Sequence, residues 1–470
     1  MSAIPATIST GTGSTGTGVS ARLGEHAVVI GGSMAGLLTA RVLSDHFDRV
    51  TIFEADTPPE QALPRAGVPQ GNHIHGLLAG GAAVINKYFP ALHDDLVAAG
   101  AEHGDTMLMA HMYIGGRWNL RLESGNYGYV MSRPLLEAMV RKHTCALGKV
   151  QLRVNESVSG YRSSADNSAI TGVTLANDNE AVAADFVADV RGRSSTAPEW
   201  LKVLGYAAPE RTTVGIDVGY VTFEVPGRPR TERDWGLLFV TQKNIPEDTR
   251  SGGLFCIEGG RYLVTAGGFH KDYAPTDWAG FVDYMRDLPQ GHIYREIKDL
   301  QPLGEAKEYR YAHYLRRHYE RLERFPRGLV VLGDAMCSFN PVYGQGMTVA
   351  AKEADHLADC LAQCARTGGN LDNFALPFFK GAANIVDVAW NGVTVEDFKY
   401  PQTRGVRPRG YAIARWMNDK LFALSGVDQE FAIAFNKVLH LAAPPSSILK
   451  PKYLLKAIFN GKRQAADYYP

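Results

Sequence analysis

Residues 27–43 read AVVIGGSMAGLLTARVL. The all-apolar run Ala27 to Ile30 suits a strand buried on both faces, as parallel sheets require. GGSMAG follows at once, and Leu37, Leu38, Ala40, Arg41, Val42 and Leu43 then carry a helical pattern. RVTIFE, residues 49–54, is the next strand. The segment is therefore a strand–turn–helix–strand unit that ends on an acid, Glu54, and it places this part of the chain in a parallel α/β sheet.

The turn departs from the usual G-x-G-x-x-G at its middle position, where Ser33 stands. Such a turn exposes backbone N–H groups at a helix N-terminus, where the helix dipole also favours negative charge. Gly31 allows the tight turn, Gly36 lets helix and strand pack closely, and the middle position must admit a pyrophosphate to the backbone. Serine keeps a small side chain there, so Gly31, Gly32, Ser33 and Gly36 are the candidate phosphate-binding positions. Glu54 lies 18 residues beyond Gly36. An acid at that point accepts hydrogen bonds from a ribose diol and repels a 2′-phosphate. The site thus suits the adenosine of FAD or NAD better than NADP. The competing reading is a glycine-rich turn with no ligand.

GLVVLGDAMCSFNPVYGQGMTVA, almost three hundred residues later, decides between the two nucleotides. A buried strand leads to Gly333-Asp334, then to a Pro341 loop, then to Gly344-Gln345-Gly346-Met347 opening a helix. An acid at a strand end can hold a ribitol hydroxyl. Glycines at a helix start present N–H groups to a phosphate or a flavin carbonyl. NAD has no use for this second cradle, whereas a flavin has a ribitol and a ring to place.

The paired motifs resemble those of the FAD-dependent monooxygenases of the para-hydroxybenzoate hydroxylase fold, over roughly residues 25–400. PRAGVPQGNHIHGLLAGG, 64–81, and DVRGRSSTAPEWLKVLGY, 189–206, are similar to stretches of bacterial flavin epoxidases and hydroxylases of secondary metabolism, including those of polyether biosynthesis. Val190-Arg191 replaces the small residues usual before that second glycine. The resemblance implies an α/β fold: a Rossmann-like FAD-binding domain of the GR2 type, an inserted antiparallel β-sheet substrate domain and a helical C-terminal region. It implies that the first motif holds the AMP half of FAD, that Gly333 and Asp334 contact ribitol and pyrophosphate, and that Pro341, Gly344, Gln345, Gly346 and Met347 run beside the flavin ring. Arg65 would lie over the flavin or its phosphates, with an exposed loop arginine as the alternative. Arg133 would contact FAD from the side opposite the first motif, with a local ion pair to Glu137 as the alternative.

The implied chemistry is that of a flavin shielded by protein. NADH or NADPH visits transiently to reduce FAD, since no second G-x-G-x-x-G unit is present; a separate flavin reductase is the other possible supplier. Reduced flavin adds O2 as a C4a-hydroperoxide and hydroxylates or epoxidises a hydrophobic small molecule, a secondary metabolite. A dehydrogenase or reductase of the isoprenoid-reductase kind is the second reading, and a flavoprotein without turnover the third. The G-W-x-W-x-I-P stretch of the related halogenases is absent. No side chain is singled out as a catalytic acid or base.

The remaining features set bounds. With 470 residues the chain has room for about three structural units. Lys+Arg and Asp+Glu both number 49, which argues against a nucleic-acid-binding face. The five cysteines are scattered, and Cys360, Cys364 and His356 lack further ligands, so thiols rather than disulfides or a metal site are expected, in a reducing cytoplasm. Residues 1–23 read as a disordered tail without the features of a signal peptide, and no run is apolar enough for a transmembrane helix. The expected division is 24–205 for the FAD-binding domain, with a substrate-side excursion at 106–130, then 206–305 for the substrate sheet, 306–400 for the second part of the FAD-binding domain and 401–470 for the C-terminal helices. Helices are expected at 82–100, 132–143, 276–287, 291–299 and 348–366; VQLRV and GVTLA are expected to pair as strands. The last seventy residues hold 11 Lys/Arg against 4 acids, and ILKPKYLLKAIFNGKR suits a helix packed on the domain with a basic outer face, without stable membrane insertion. His73 and His75 alternate, so on a strand both face one side, toward a flavin pocket or into ordinary core or surface. Tyr311, Tyr314, Arg316 and Arg317 read as a strand with solvated cations. MYIGGRWNL and WGLLFV read as walls of a substrate cavity or as core.

Overall fold

The apolar runs around Val28, Ile52, Val187 and Val330 pair edge to edge. In the computed structural model, which describes residues 22–460, Gly24–Ile30, Phe47–Glu54, Val150–Val154, Phe186–Asp189 and Leu329–Val331 form a five-stranded parallel sheet. Gly24–Ile30 is its centre, between Phe186–Asp189 and Phe47–Glu54. One face carries the helix Met34–Leu43, packed between Arg133–Cys145 and Gly346–Arg366. A three-stranded antiparallel sheet, Val158–Ser163, Ile170–Leu175 and Ala181–Ala183, packs against Phe186–Asp189. VQLRV therefore does not pair with GVTLA. It closes the parallel sheet beside Phe47–Glu54, while GVTLA lies in the small sheet. Leu152 and Val154 alternate with polar neighbours, and an alternating strand names a buried face but not a partner.

The second body is an eight-stranded sheet in the order Cys337–Ser338, Lys307–Arg317, Arg211–Pro226, Arg261–Gly268, Arg250–Ile257, Leu237–Val240, Ala110–Ile114, Arg117–Trp118. The expected sheet was antiparallel. The observed one is mixed, because Ala110–Ile114 enters from an earlier part of the chain and runs parallel to Leu237–Val240. Helices Trp278–Arg286 and His292–Ile297 cover its outer face around Phe281, Met285 and Ile297. The stretch 106–131 is only partly strand: Thr106–Met109 is a helical turn capped by Asp105. The expected helix at 82–100 divides at Pro90 into Ala79–Tyr88 and Leu92–Ala98.

The C-terminal helices Tyr411–Ser425, Gln429–Leu439 and Pro451–Asn460 share a third apolar cluster around Leu424, Phe431 and Tyr453. Lys452 and Lys456 pair with Glu430 and Asp428, while Leu455 and Phe459 are exposed. Among the described residues no helix is long and apolar enough to cross a membrane, and no group of three or more His, Cys, Asp or Glu is placed to hold a metal. Nearly all of the expected disordered tail lies outside the described residues, as do Lys462, Arg463 and Asp467. Leu23 already belongs to the folded body, its N–H bonded to the His46 carbonyl.

Candidate functional site

Between the two sheets lies one cavity of about 980 Å³. Every predicted site position except Gly32, Gly36 and Gly333 lines it. Those three act from behind the wall. A Cβ on Gly36 would stand 1.8 Å from the Gly31 carbonyl oxygen, so only glycine lets the first helix approach its strand. Gly333 takes a φ of 65°, the left-handed region glycine favours, and turns the chain at the end of its strand.

Gly32 shows how the first turn is held. Its N–H donates to Glu54 Oε2 at 2.8 Å, so the acid closing the second strand braces the turn opening the first helix. Ser33 is the N-cap of that helix but makes no side-chain cap bond. Its hydroxyl instead accepts from Arg133 Nη2 at 2.9 Å and lies 3.4 Å from Glu137 Oε2, to which it donates. Arg133 Nη1 pairs with the same carboxylate at 2.7 Å. Serine at the middle position thus ties the turn to the start of a helix 100 residues away.

Arg65 lines the cavity. It is not an exposed loop residue: its side chain is 5% exposed and its guanidinium is shared by Glu54, Asp56 and Glu137. For Arg133 the ion pair to Glu137 and a place on the cavity wall occur together. The helix Arg133–Cys145 begins where expected, with Ser132 accepting from the Leu135 N–H. The unusual Arg191 has a clear local role. It bonds fully buried Asp189 at 2.5 Å and stacks 3.9 Å over the Trp200 ring, fixing the loop that carries Arg193 into the cavity.

The second motif meets the first across the cavity. Burial pushes the Asp334 carboxyl up to about 6, against the pull of Arg133 and Arg193. Behind it, Gly333 N–H donates to Glu353 Oε2 at 2.6 Å. Glu353 is wholly buried, its other oxygen has no hydrogen-bond partner, and burial pushes it up to about 8. The loop from Asn340 to Gly346 is anchored from outside by Asp397, the last residue of the helix Ala375–Asp397. Asn340 Nδ2 donates to its two oxygens at 3.0 and 3.1 Å, and the Tyr343 hydroxyl donates at 3.1 Å. Burial raises Asp397 to about 7. The helix Gly346–Arg366 then starts on the cavity wall with its free N–H groups at Gly346 and Met347.

His73 and His75 lie in an irregular segment after the turn Pro69–Asn72, not on a strand. Both line the cavity, with different partners. His73 Nδ1 bonds Thr222 Oγ1 at 2.7 Å, and its ring sits 5.9 Å from Tyr220 and 5.8 Å from Tyr309. His75 Nδ1 donates to the His73 carbonyl at 3.0 Å. Burial holds them neutral, at about 4 and about 3. Of the two aromatic segments, Met112, Leu237 and Phe239 face the cavity while Tyr113, Trp118 and Leu238 are core. Arg316 and Arg317 are buried rather than solvated. The first pairs with Asp387 and Glu320, and the second donates to the carbonyls of Ala335 and Arg193.

Sequence reading missed Glu137 as a shared carboxylate, Arg193, Tyr220, Glu353, Asp397 and His440. Glu353 had a signal: it interrupts the apolar stripe Val349, Ala350, Ala354, Leu357 of its helix.

The residues present suit a dinucleotide carrying a ribityl flavin: a helix N-terminus behind Ser33, a carboxylate at each strand end, and a second helix N-terminus at Gly346. A family model described as FAD binding domain matches residues 25–372. Protein Rv3254 of Mycobacterium tuberculosis is 33% identical over 409 residues, 82% of this chain and 84% of its own. Kynurenine 3-monooxygenase of Salinispora tropica is 24% identical over 354 residues, 72% of each chain. The solved structure of the flavin-dependent brominase Bmp2 superposes with a TM-score of 0.63 at 14% identity, covering 93% of this chain and 98% of that one, which speaks to the fold alone.

Proposed function

From the premise that the chain belongs to the FAD-binding-domain family and is an FAD-dependent oxidoreductase, we propose that it is a monooxygenase that hydroxylates or epoxidises a hydrophobic secondary metabolite. The observation that carries this reading is the continuity of the cavity. One end is built from Ser33, Glu54 and Asp334, and the other is a chamber walled by Met109, Met112, Leu237, Phe239 and Phe255. When bound, FAD supplies electron transfer from NADH or NADPH, or from a partner reductase, and the activation of O2. The overall change balances as substrate, O2, NAD(P)H and a proton giving oxygenated substrate, water and NAD(P)+.

The chain's own residues bind, orient and shield. Gly31, Gly32, Ser33 and Gly36 form the pyrophosphate turn. Glu54 would accept from the ribose diol of FAD and Asp334 from a ribitol hydroxyl, and Arg65 and Arg133 would balance phosphate charge. Pro341, Gly344, Gln345, Gly346 and Met347 would hold the ring, where the helix N-terminus would stabilise negative charge. The apolar chamber keeps water from the oxygenating step.

The test is expression without added flavin, followed by incubation with NADH or NADPH, a panel of hydrophobic substrates and labelled O2. We expect a yellow protein, substrate-stimulated NAD(P)H oxidation and one labelled atom in the product. Substrate reduction without incorporated oxygen would replace this reading with a reductase, and a yellow protein inert to every donor would end it.

A further inference from the structure

Sequence motifs place nothing functional beyond residue 400, yet the C-terminal helices contribute a polar atom to the chamber. His440 follows the helix Gln429–Leu439, lines the cavity and is held by the opposite body. The helix Ala79–Tyr88 lacks a side-chain cap of its own, since its N-cap residue is Leu78. His440 supplies the cap. Its Nδ1 accepts from the Ala79 N–H at 3.2 Å, and its carbonyl oxygen accepts from the Gly80 N–H at 2.9 Å. Gly80 makes room for this approach, since a Cβ there would stand 2.4 Å from the Leu441 carbonyl oxygen. Beside it, Asn436 Oδ1 accepts from Thr106 at 3.1 Å and from Asn126 at 3.0 Å, which seats the helix against the chamber.

This arrangement fixes the tautomer. A ring nitrogen that accepts from a backbone N–H is unprotonated, so the proton of the neutral imidazole is on Nε2. Burial holds the ring neutral, its pKa pulled down to about 4. No hydrogen bond to Nε2 is made among the described residues; the cavity that His440 lines is also lined by Thr106, Met109 and Met112, and the Asp105 carboxylate acts on the ring from nearby. A donor fixed in an apolar chamber discriminates strongly, because a ligand without an acceptor leaves it unpaired.

We infer that His440 is a substrate-orienting residue, whose Nε2–H donates to a single oxygen acceptor (carbonyl, ether, hydroxyl or phenolate) on an otherwise apolar substrate. The inference rests on the chamber being the substrate end of the proposed monooxygenase.

Two shape-matched probes test it in the FAD-loaded protein: 2-acetylnaphthalene, which carries a carbonyl acceptor, and 2-ethylnaphthalene, which does not. Binding is read from perturbation of the flavin absorbance. We expect the native protein to prefer the ketone by about ten-fold. His440→Asn keeps an acceptor for the Ala79 N–H, while its shorter side chain carries its amide N–H groups short of the Nε2 position. Its preference should fall to near unity, with FAD content and melting temperature retained. His440→Phe should do the same with some loss of stability. Equal affinities in the native protein, including no measurable binding of either probe, overturn the inference, as does a preference that survives in His440→Asn. A ligand-free measurement stands beside these: in protein labelled with 15N-histidine, the resonance lost in His440→Asn should report the Nε2–H tautomer, and an Nδ1–H tautomer overturns the inference. Failure of oxygen transfer with the ketone preference intact would sink the monooxygenase reading and leave His440 as a ligand-orienting residue. Oxygen transfer with no preference would do the reverse.

Discussion

Three guanidiniums, those of Arg65, Arg133 and Arg141, converge on Glu137, whose side chain is 4% exposed. Ser33 joins this group through Arg133, so the middle position of the first turn orders the ion cluster in addition to the phosphate approach proposed for it. Ser33→Gly should weaken FAD binding by less than about ten-fold, the effect of one hydrogen bond. Ser33→Val should weaken it a hundred-fold or more, because a branched apolar group leaves Arg133 short of a partner and crowds the phosphate. Fluorescence titration of apoprotein with FAD measures both, and a harmless valine would remove the phosphate from beside Ser33. Glu353 gives a pH prediction. Its carboxyl is raised from 4.5 to about 8 in the folded protein. Between those values the folded state holds a proton that the unfolded chain has released, so stability falls as pH rises through that window. Asp334, raised from 3.8 to about 6, adds to the slope at its acidic end. Glu353→Gln keeps an acceptor for the Gly333 N–H and has no such proton to lose. It should be more stable than the native protein above pH 8, by on the order of 1–4 kcal/mol, and little changed near pH 5. Urea unfolding at pH 5 and pH 9 decides, and an equal difference at both values would count against it. The place of Ser33 and Glu54 on the cavity wall was legible because both belong to one strand–turn–helix–strand unit. Glu137 was legible only as the local partner of Arg133, since its bond to Arg65 spans 72 residues and no local pattern announces it.

The cavity-wall loop from Asn340 to Gly346 owes its shape to an element that no motif includes. Asp397 accepts from Asn340 and Tyr343, both of which would otherwise be buried donors without partners. Asp397→Ala should lower the unfolding free energy by about 2–3 kcal/mol. In the FAD-loaded protein it should also blur the vibrational structure of the flavin absorption band as the loop loosens. Asp397→Asn keeps an acceptor and should do less of both. A native flavin spectrum in the alanine variant would mean that the loop is held by other contacts. Buried strands and capped helices could be read from the chain because apolar runs, Ser132 and the paired glycines act locally. Strand partners could not. The strand at 150–154 has a plain alternation, and only the arrangement of the whole sheet seats it beside Phe47–Glu54 rather than beside 170–175. His73 and His75 also alternate, yet their backbone departs from a strand because it runs between the two bodies and bonds side chains from both.

At the scale of the molecule, the C-terminal helices are joined to the rest at a backbone-to-backbone approach. Gly80 faces the His440 and Leu441 carbonyls, and a second tie holds Arg404 to Gly215 and Asp217. Gly80→Ala should force these bodies apart. We expect retained FAD, faster tryptic cleavage after Arg404 and Arg409, and more peroxide released per NAD(P)H oxidised as water reaches the chamber. Native cleavage rates and tight coupling would show that the approach relaxes without cost. The existence of a parallel-sheet body and a β-rich body could be read from the chain, whereas their interleaving could not, because it depends on Ala110–Ile114 finding Leu237–Val240 across more than a hundred residues. That interleaving governs how such a chain can be altered. An exchange confined to 206–305 would import four of the eight strands and leave 110–114 and 307–317, the strands that flank them on either side, registered to partners no longer there. The larger sheet is therefore not a cassette. New substrate ranges on this scaffold have to be reached one side chain at a time, at wall positions such as Met112 and Phe239, with the hydrogen-bonded frame behind them kept intact.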